Sequence, residues 1–289
     1  MSKENYQSDN NEISLFEFFN TLWENKYFIA IFMVISSIII VLYVINLENI
    51  YQSKAVLKPT QNNKVNSSLS KLQSITGLAG IDIGSSDAYN PYYTLKSIAN
   101  DNNFLASFVK KNKFEEKLIP EYDQLSTDPI FEKNYNYYVS KNVRKSIHIN
   151  EDSESNFIEI SFQSTDRFFA KDFLEIFLIE ISKKNKEISM KSLQQQINSY
   201  KKEISSTSDI SIKTSLSTIV ADLIQQKVLA QAQKYYNFTL IIEPSVPNEL
   251  NKVKPRRSMI SIALFIVSLI LCISIVVFID WSKNNRKKL

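Results

Sequence analysis

Two stretches of the chain carry no charge: Tyr27 to Leu47 (YFIAIFMVISSIIIVLYVINL) and Met259 to Ile279 (MISIALFIVSLILCISIVVFI). Each runs for 21 residues, which as a helix covers roughly 31 Å, close to the hydrocarbon thickness of a bilayer. The competing reading is a pair of buried core helices. Two uncharged runs of this length at opposite ends of one sequence weigh against it. A cleaved signal peptide does not suit the first run: 26 residues precede it, the apolar stretch is too long, and no small-residue cleavage site follows. The pattern predicts transmembrane helices at 27–47 and 259–279, a folded block at 48–258, and tails at 1–26 and 280–289.

Between the runs the period of the apolar positions changes several times. Ser14 as N-cap and Glu17 three residues later form a capping box, with Ile13 and Phe18 as a hydrophobic staple. That helix runs to Lys26 and brings Trp23 to the membrane interface. Tyr51 to Leu57 predicts a strand ending at Pro59. A helix from Pro91 to Phe108, broken near Asn102, follows a polar stretch. Alternation over Val143–Ile149 and Phe157–Phe162 predicts a β-hairpin with His148 on its outer side. From Asp166 the period becomes helical for up to about 40 residues. Ser205–Ser211 breaks it, and a second helix runs to about Tyr235. Leu193, Ile197, Tyr200 and Ile204 form one seam, and Ile212, Leu216, Ile219 and Leu223 a second, each at spacings of 4, 3 and 4. Their partners lie either within this hairpin or on another subunit. A last strand, Phe238–Ile242, leads into a segment stiffened by Pro244, Pro247 and Pro255. Arg256 and Arg257 close it at headgroup level, where lipid phosphate or an acidic partner can pair with them.

Charge decides the orientation. Lys283, Arg286, Lys287 and Lys288 favour a cytoplasmic C-terminal tail. Lys252, Lys254, Arg256 and Arg257 pull the other way. Long loops translocate largely regardless of charge, so the short tail carries more weight and both termini are expected in the cytoplasm.

Composition removes most chemistry. The only glycines are Gly77, Gly80 and Gly84 in one loop, without phosphate-cradle spacing. Elsewhere the backbone is expected to keep almost entirely to φ < 0. There is one cysteine, Cys272 in the second apolar run, and one histidine, His148. No metal spacing, nucleophile elbow or triad can be assembled from them. The acidic pairs Glu115-Glu116 and Glu151-Asp152 stand in solvated contexts, and a formal net charge of +4 makes no case for nucleic acid. The expectation is a protein with no catalytic residues, no metal and no cofactor.

Several segments, in order, resemble the Wzz-type chain-length determinant family, the polysaccharide co-polymerases of the bacterial inner membrane. They are the acidic-apolar lead Glu12–Lys26 before the first run, the strand YQSKAVLKP at Tyr51–Pro59, and the Gly77–Gly84 stretch. Leu95, Lys96 and Ser97 near a helix start, IEISFQSTD at Ile158–Asp166, and the prolines before the second run complete the set. The resemblance implies an α+β membrane protein whose two transmembrane helices flank a periplasmic domain. That domain would have a membrane-proximal mixed sheet and a long helix or helical hairpin extending away from it. It further implies a homo-oligomer that sets the chain length of O-antigen, capsule or exopolysaccharide together with a membrane polymerase, in contact with lipid bilayer and growing glycan. Two other readings fit the layout: a transmembrane adaptor for a cytoplasmic tyrosine kinase in polysaccharide export, and a sensor without an output domain.

Overall fold

A computed structural model describes residues 15–60 and 90–286. Ser14 and the glycine loop of Gly77, Gly80 and Gly84 lie outside the described residues, as does the side chain of Glu17. The chain divides into two units. One combines Met1–Asn49 with Val253–Leu289, and the other is Ile50–Lys252.

The first unit begins with α1 (Leu15–Glu24) and α2 (Lys26–Ile45). Only Asn25 separates them, and Ile29 N–H still donates to its carbonyl at 3.0 Å. The C-terminal helix of this unit is Arg257–Arg286, which starts two residues before the uncharged run and continues seven beyond it. Both helices are long and apolar enough to cross a membrane. The most apolar windows of the two are only 6% and 11% buried. A soluble core helix would be covered by its own protein. Here Ile31, Val34, Ile38, Ile266 and Ile270 all face outward, which an aqueous surface would not stabilise. The two helices touch each other. Thr21 Oγ1 donates to Asp280 Oδ2 at 3.1 Å, and Cys272 is buried.

The second unit opens with β1 (Tyr51–Pro59), followed by a run of helices. These are α3 (Pro91–Ala99), α4 (Asn102–Asn112), α5 (Glu115–Leu118), α6 (Tyr122–Leu125), α7 (Pro129–Lys133) and α8 (Tyr135–Ser146). The break between α3 and α4 has a local cause: Asp101 N-caps the second helix, its Oδ1 accepting from Asn103 N–H at 2.9 Å. Next come β2 (Ile147–Glu151), β3 (Ile158–Ser164), α9 (Arg167–Ser206), α10 (Ile210–Ala232) and β4 (Phe238–Ile242), and Arg257–Arg286 of the first unit is α11.

The predicted strand over Val143–Ile149 is corrected in its first half. Val139 and Val143 are both fully buried at i, i+4, so Val143 continues the helical period of α8, and alternation begins only at Ile147. The sheet runs β2-β3-β1-β4. Every pairing in it is antiparallel, not mixed. The long excursion through α9 and α10 does return β4 parallel to β3. However, β1 lies between those two strands, so they never pair. Among the described residues, φ > 0 occurs at Lys113, Glu121, Asn156 and Asn237. Asparagine tolerates this conformation better than most residues.

One sheet face carries Ala55, Leu57, Ile147, Ile158, Ile160 and Phe162, all buried. Against it lies the first half of α9, where Phe169, Phe173 and Phe177 recur every fourth residue on one helix face. Phe162 stacks on Phe173 with centroids 3.8 Å apart, and Phe108 of α4 meets Phe173 and Phe177 edge-on at 5.2 and 5.4 Å. Such pairs add about 0.5–1.5 kcal/mol each beyond simple burial. From about Lys186 onward α9 leaves this core, packs against α10, and turns at Thr207–Asp209. Asp209 N-caps α10, its Oδ1 accepting from Ser211 and Ile212 N–H at 2.7 and 3.2 Å. The resulting arm is about 30 Å long by helix rise.

Candidate functional site

The proline segment is fastened along the second unit at two places. Ser53 Oγ donates to the Ser245 carbonyl at 2.9 Å. Arg167, the first residue of α9, donates through Nη1 to the Pro247 carbonyl at 3.3 Å and pairs through Nη2 with Glu249. Its guanidinium also lies 5.9 Å from the Tyr51 ring centroid. Pro244 and Pro247 remove two N–H donors from this segment, so side chains from β1 and α9 hold it through its carbonyls. Nothing in the sequence pattern singled out Arg167. Its partners are 80 and 82 residues away, and only the fold brings them to it.

Pro255, Arg256 and Arg257 belong to the first unit. The two arginines, which the sequence placed together at the interface, have separate surroundings. Arg256 is exposed. Arg257 is half-buried, and its Nη2 donates to the Leu47 carbonyl at 2.9 Å and to Asn49 Oδ1 at 3.2 Å. It therefore ties the start of α11 to the segment just past α2. At the other end of the apolar stretch, Trp23 is 71% exposed, and Lys26 Nζ lies 4.6 Å from its ring centroid.

The seam residues come together within one chain. Ile197, Ile219, Val220 and Leu223 are buried, and Leu193, Tyr200, Ile204 and Leu216 pack around them. Ile212 instead lies in the first turn of α10 and is 49% exposed, while Val220 completes the seam. Lys227 Nζ bridges the arm to Gln194 Oε1 at 2.6 Å, and Tyr236 N–H donates to Ser182 Oγ at 2.8 Å where the arm rejoins the base.

The Leu95-Lys96-Ser97 element divides by burial. Leu95 is fully buried in the base, whereas Lys96 and Ser97 are exposed. Lys96 Nζ donates to the Tyr92 hydroxyl at 2.9 Å and lies over that ring. This hydrogen bond raises the lysine pKa and keeps the side chain cationic. Lys96, Arg144 and His148 line a concavity of about 200 Å³ beside β2. A larger groove of about 330 Å³ lies between α4 and α9, where Asp101, Glu180 and Glu187 face Lys183 and Lys184.

Among the described residues no cluster of His, Cys, Asp and Glu has metal-binding geometry. The strongest perturbation of a titratable group is at Tyr135. Burial, followed by its hydrogen bond to Glu115 Oε1 at 3.0 Å, pushes its hydroxyl well above the usual tyrosine range. That contact ties α8 to α5 and keeps the phenol protonated, which is a packing role.

Residues 11–112 match the family model described as "Wzz: Chain length determinant protein". This match agrees with the resemblance carried by the segments between Glu12 and Ser97. No curated protein matches the sequence. Among solved structures, a "full-length bacterial polysaccharide co-polymerase" aligns at 10% identity and a TM-score of 0.42, covering 93% of this chain and 98% of that one. A fragment of WzzB, a polysaccharide co-polymerase from Salmonella Typhimurium, aligns at 11% identity and a TM-score of 0.34, covering 71% of this chain and 100% of that one.

Proposed function

We propose that this chain is a non-enzymatic regulator of polysaccharide chain length. It is anchored in the bacterial inner membrane by α2 and α11, has both termini in the cytoplasm, and acts as a homo-oligomer with a membrane polymerase. The observation that carries the reading is the chain-length-determinant match over residues 11–112. Two physical features support it. The apolar faces of α2 and α11 are exposed in the isolated chain, and hydrocarbon is the environment that favours them. The arm of α9 and α10 gives the folded block a feature of fixed length, which suits a part that works through shape and assembly.

Deletion of the gene tests the function. The expected outcome is a changed distribution of polymer lengths with unchanged sugar composition. An unaltered length distribution would reject the proposal. Orientation is read separately, by labelling Ile210→Cys in a Cys272→Ser background with a membrane-impermeant maleimide in spheroplasts. Labelling without lysis places the folded block outside the cytoplasm, and labelling only after lysis reverses the orientation.

A further inference from the structure

The concavity beside β2 differs in composition from the groove between α4 and α9. β2 pairs only with β3 among the described residues, so alternate backbone N–H groups on its outer side have no strand partner. Ile147 to Asn150 run along the concavity, and the ends of α3 and α8 close it. Three basic residues line it, with Asn100 and Asn150, and no acid is among its described lining residues. Among the described acids nearby, Glu159 stands opposite Asn150 in the β2–β3 pairing, and two others make local contacts. Asp101 caps α4, and Glu151 accepts from Asn90 Nδ2 at 3.3 Å.

Helix ends that point carbonyls into a pocket ordinarily repel an anion. Here Arg144 Nη2 donates to the Asn100 carbonyl at 2.8 Å and to Asn102 Oδ1, which offsets that repulsion at the end of α3 and leaves the other N–H groups of Arg144 for a ligand. Among the described residues no acid pairs with Lys96. Its ammonium is steadied by the Tyr92 hydroxyl, a neutral partner, and so it retains its full charge for a ligand. The groove between α4 and α9 is different, because Lys184 pairs with Glu187 at 3.3 Å and Lys111 with Glu180. Three acids, Asp101, Glu180 and Glu187, line that groove beside its two lysines, so it is not a cationic site.

We propose that the concavity at the open edge of β2 binds one oxyanion, a carboxylate or a phosphate, carried on a sugar, with Lys96, Arg144 and His148 as its donors. The volume supports a single small group, since pockets for drug-sized ligands begin at about 300 Å³. That the oxyanion is borne on a sugar rests on the length-regulating function proposed above. The site would give the folded block a direct contact with an acidic glycan.

His148 is the only histidine in the sequence, so its imidazole Cε1–H resonance reports on this site alone. The full-length protein in detergent micelles, labelled at histidine, is titrated with glucuronate, glucose 6-phosphate, inorganic phosphate and glucose. The expected result is a saturable shift with glucuronate or glucose 6-phosphate and none with glucose. Whichever of the two binds tighter identifies the oxyanion. Lys96→Gln, an exposed substitution that leaves Leu95 in the core, should weaken that binding about tenfold or more, the loss expected for one charge-assisted hydrogen bond. Lys183→Gln, in the other groove, should leave it unchanged.

No saturable shift, an equal shift with glucose, or full affinity in Lys96→Gln overturns the site. Inorganic phosphate binding as well as either sugar overturns its sugar specificity. The two proposals can fail separately. Binding without a length change in the deletion strain retires the regulatory function alone, and a length change without binding retires this site alone.

Discussion

The base and the arm share one helix but are held together differently. The first half of α9 lies in a continuous core, where Phe169, Phe173, Phe177 and Ile181 pack with β1, β3 and α4. The second half relies on a narrow seam with four buried members. Much of the rest of that helix is Lys, Gln, Ser and Asn, and the arm leaves Ile188, Ile224, Val228 and Leu229 exposed. A buried core fixes one arrangement, because each side chain is constrained from several directions. A two-helix seam fixes separation and register and leaves the outer faces available. The base is therefore the rigid reference, and the arm is the element whose stability depends on what it meets.

The largest expected effect comes from breaking the base. Phe173→Ala removes the ring that stacks on Phe162 and should cost about 3–5 kcal/mol. Protection of amides in base and arm should collapse together in hydrogen exchange. If base protection survived while only the arm opened, the order of stability drawn here would be reversed.

Leu223→Ala attacks the arm. Its burial is nearly complete, but the seam is thin and can collapse around the gap, so a cost near the lower end of about 2–5 kcal/mol is expected. The loss should appear as faster exchange over 190–228, with base amides unchanged. Repeating the measurement on the assembled protein sharpens the comparison. If copies of the chain cover the outer faces of the arm, assembly should restore part of the lost protection.

Asp209→Ala is smaller still. The side chain caps two N–H groups of α10, and such a cap is worth about 1 kcal/mol. Fraying should be confined to the first turns of α10. An effect on base amides would mean that the turn is coupled to the core more tightly than the seam allows.

The sequence made the arm more legible than the base. Seam residues recur at 4, 3 and 4, and a helical period needs only neighbours along the chain, so both helices and their break could be read directly. The same holds for β1 and β4, each bounded by proline or polar residues. Residues 115–146 were not legible as a cluster of short helices. Their apolar positions are sparse, and aromatic contacts between one short helix and the next, such as Phe131 against Tyr122, Tyr135 and Tyr138, follow no single period. Val143 misled because one residue can satisfy a period of two with Ile147 and a period of four with Val139. Burial decides between them, and burial is a property of the fold. Lys96 illustrates the same limit at a site. Its type and helix could be read, but the concavity around it is assembled from two separate parts of the chain, 96–100 and 144–150.

Arg167 offers the finest test, because it sits at the opposite end of α9 from the arm. If the base is a rigid reference, removing a surface fastening should leave both base and arm intact and release only the proline segment. The pair with Glu249 is exposed on the carboxylate side, and exposed pairs contribute about 0.2–1 kcal/mol. The hydrogen bond to the Pro247 carbonyl adds a comparable amount. Arg167→Ala should therefore shift global stability by no more than about 1–2 kcal/mol. Its signature should be local: faster limited proteolysis within 243–252, with exchange over Phe169–Ile181 and over the arm unchanged. Arg167→Lys keeps the charge but not the fork that reaches two acceptors at once, so it should restore protection only partly. Were Arg167→Ala instead to loosen the arm, α9 would transmit strain along its whole length, and base and arm would have to be treated as one mechanical element.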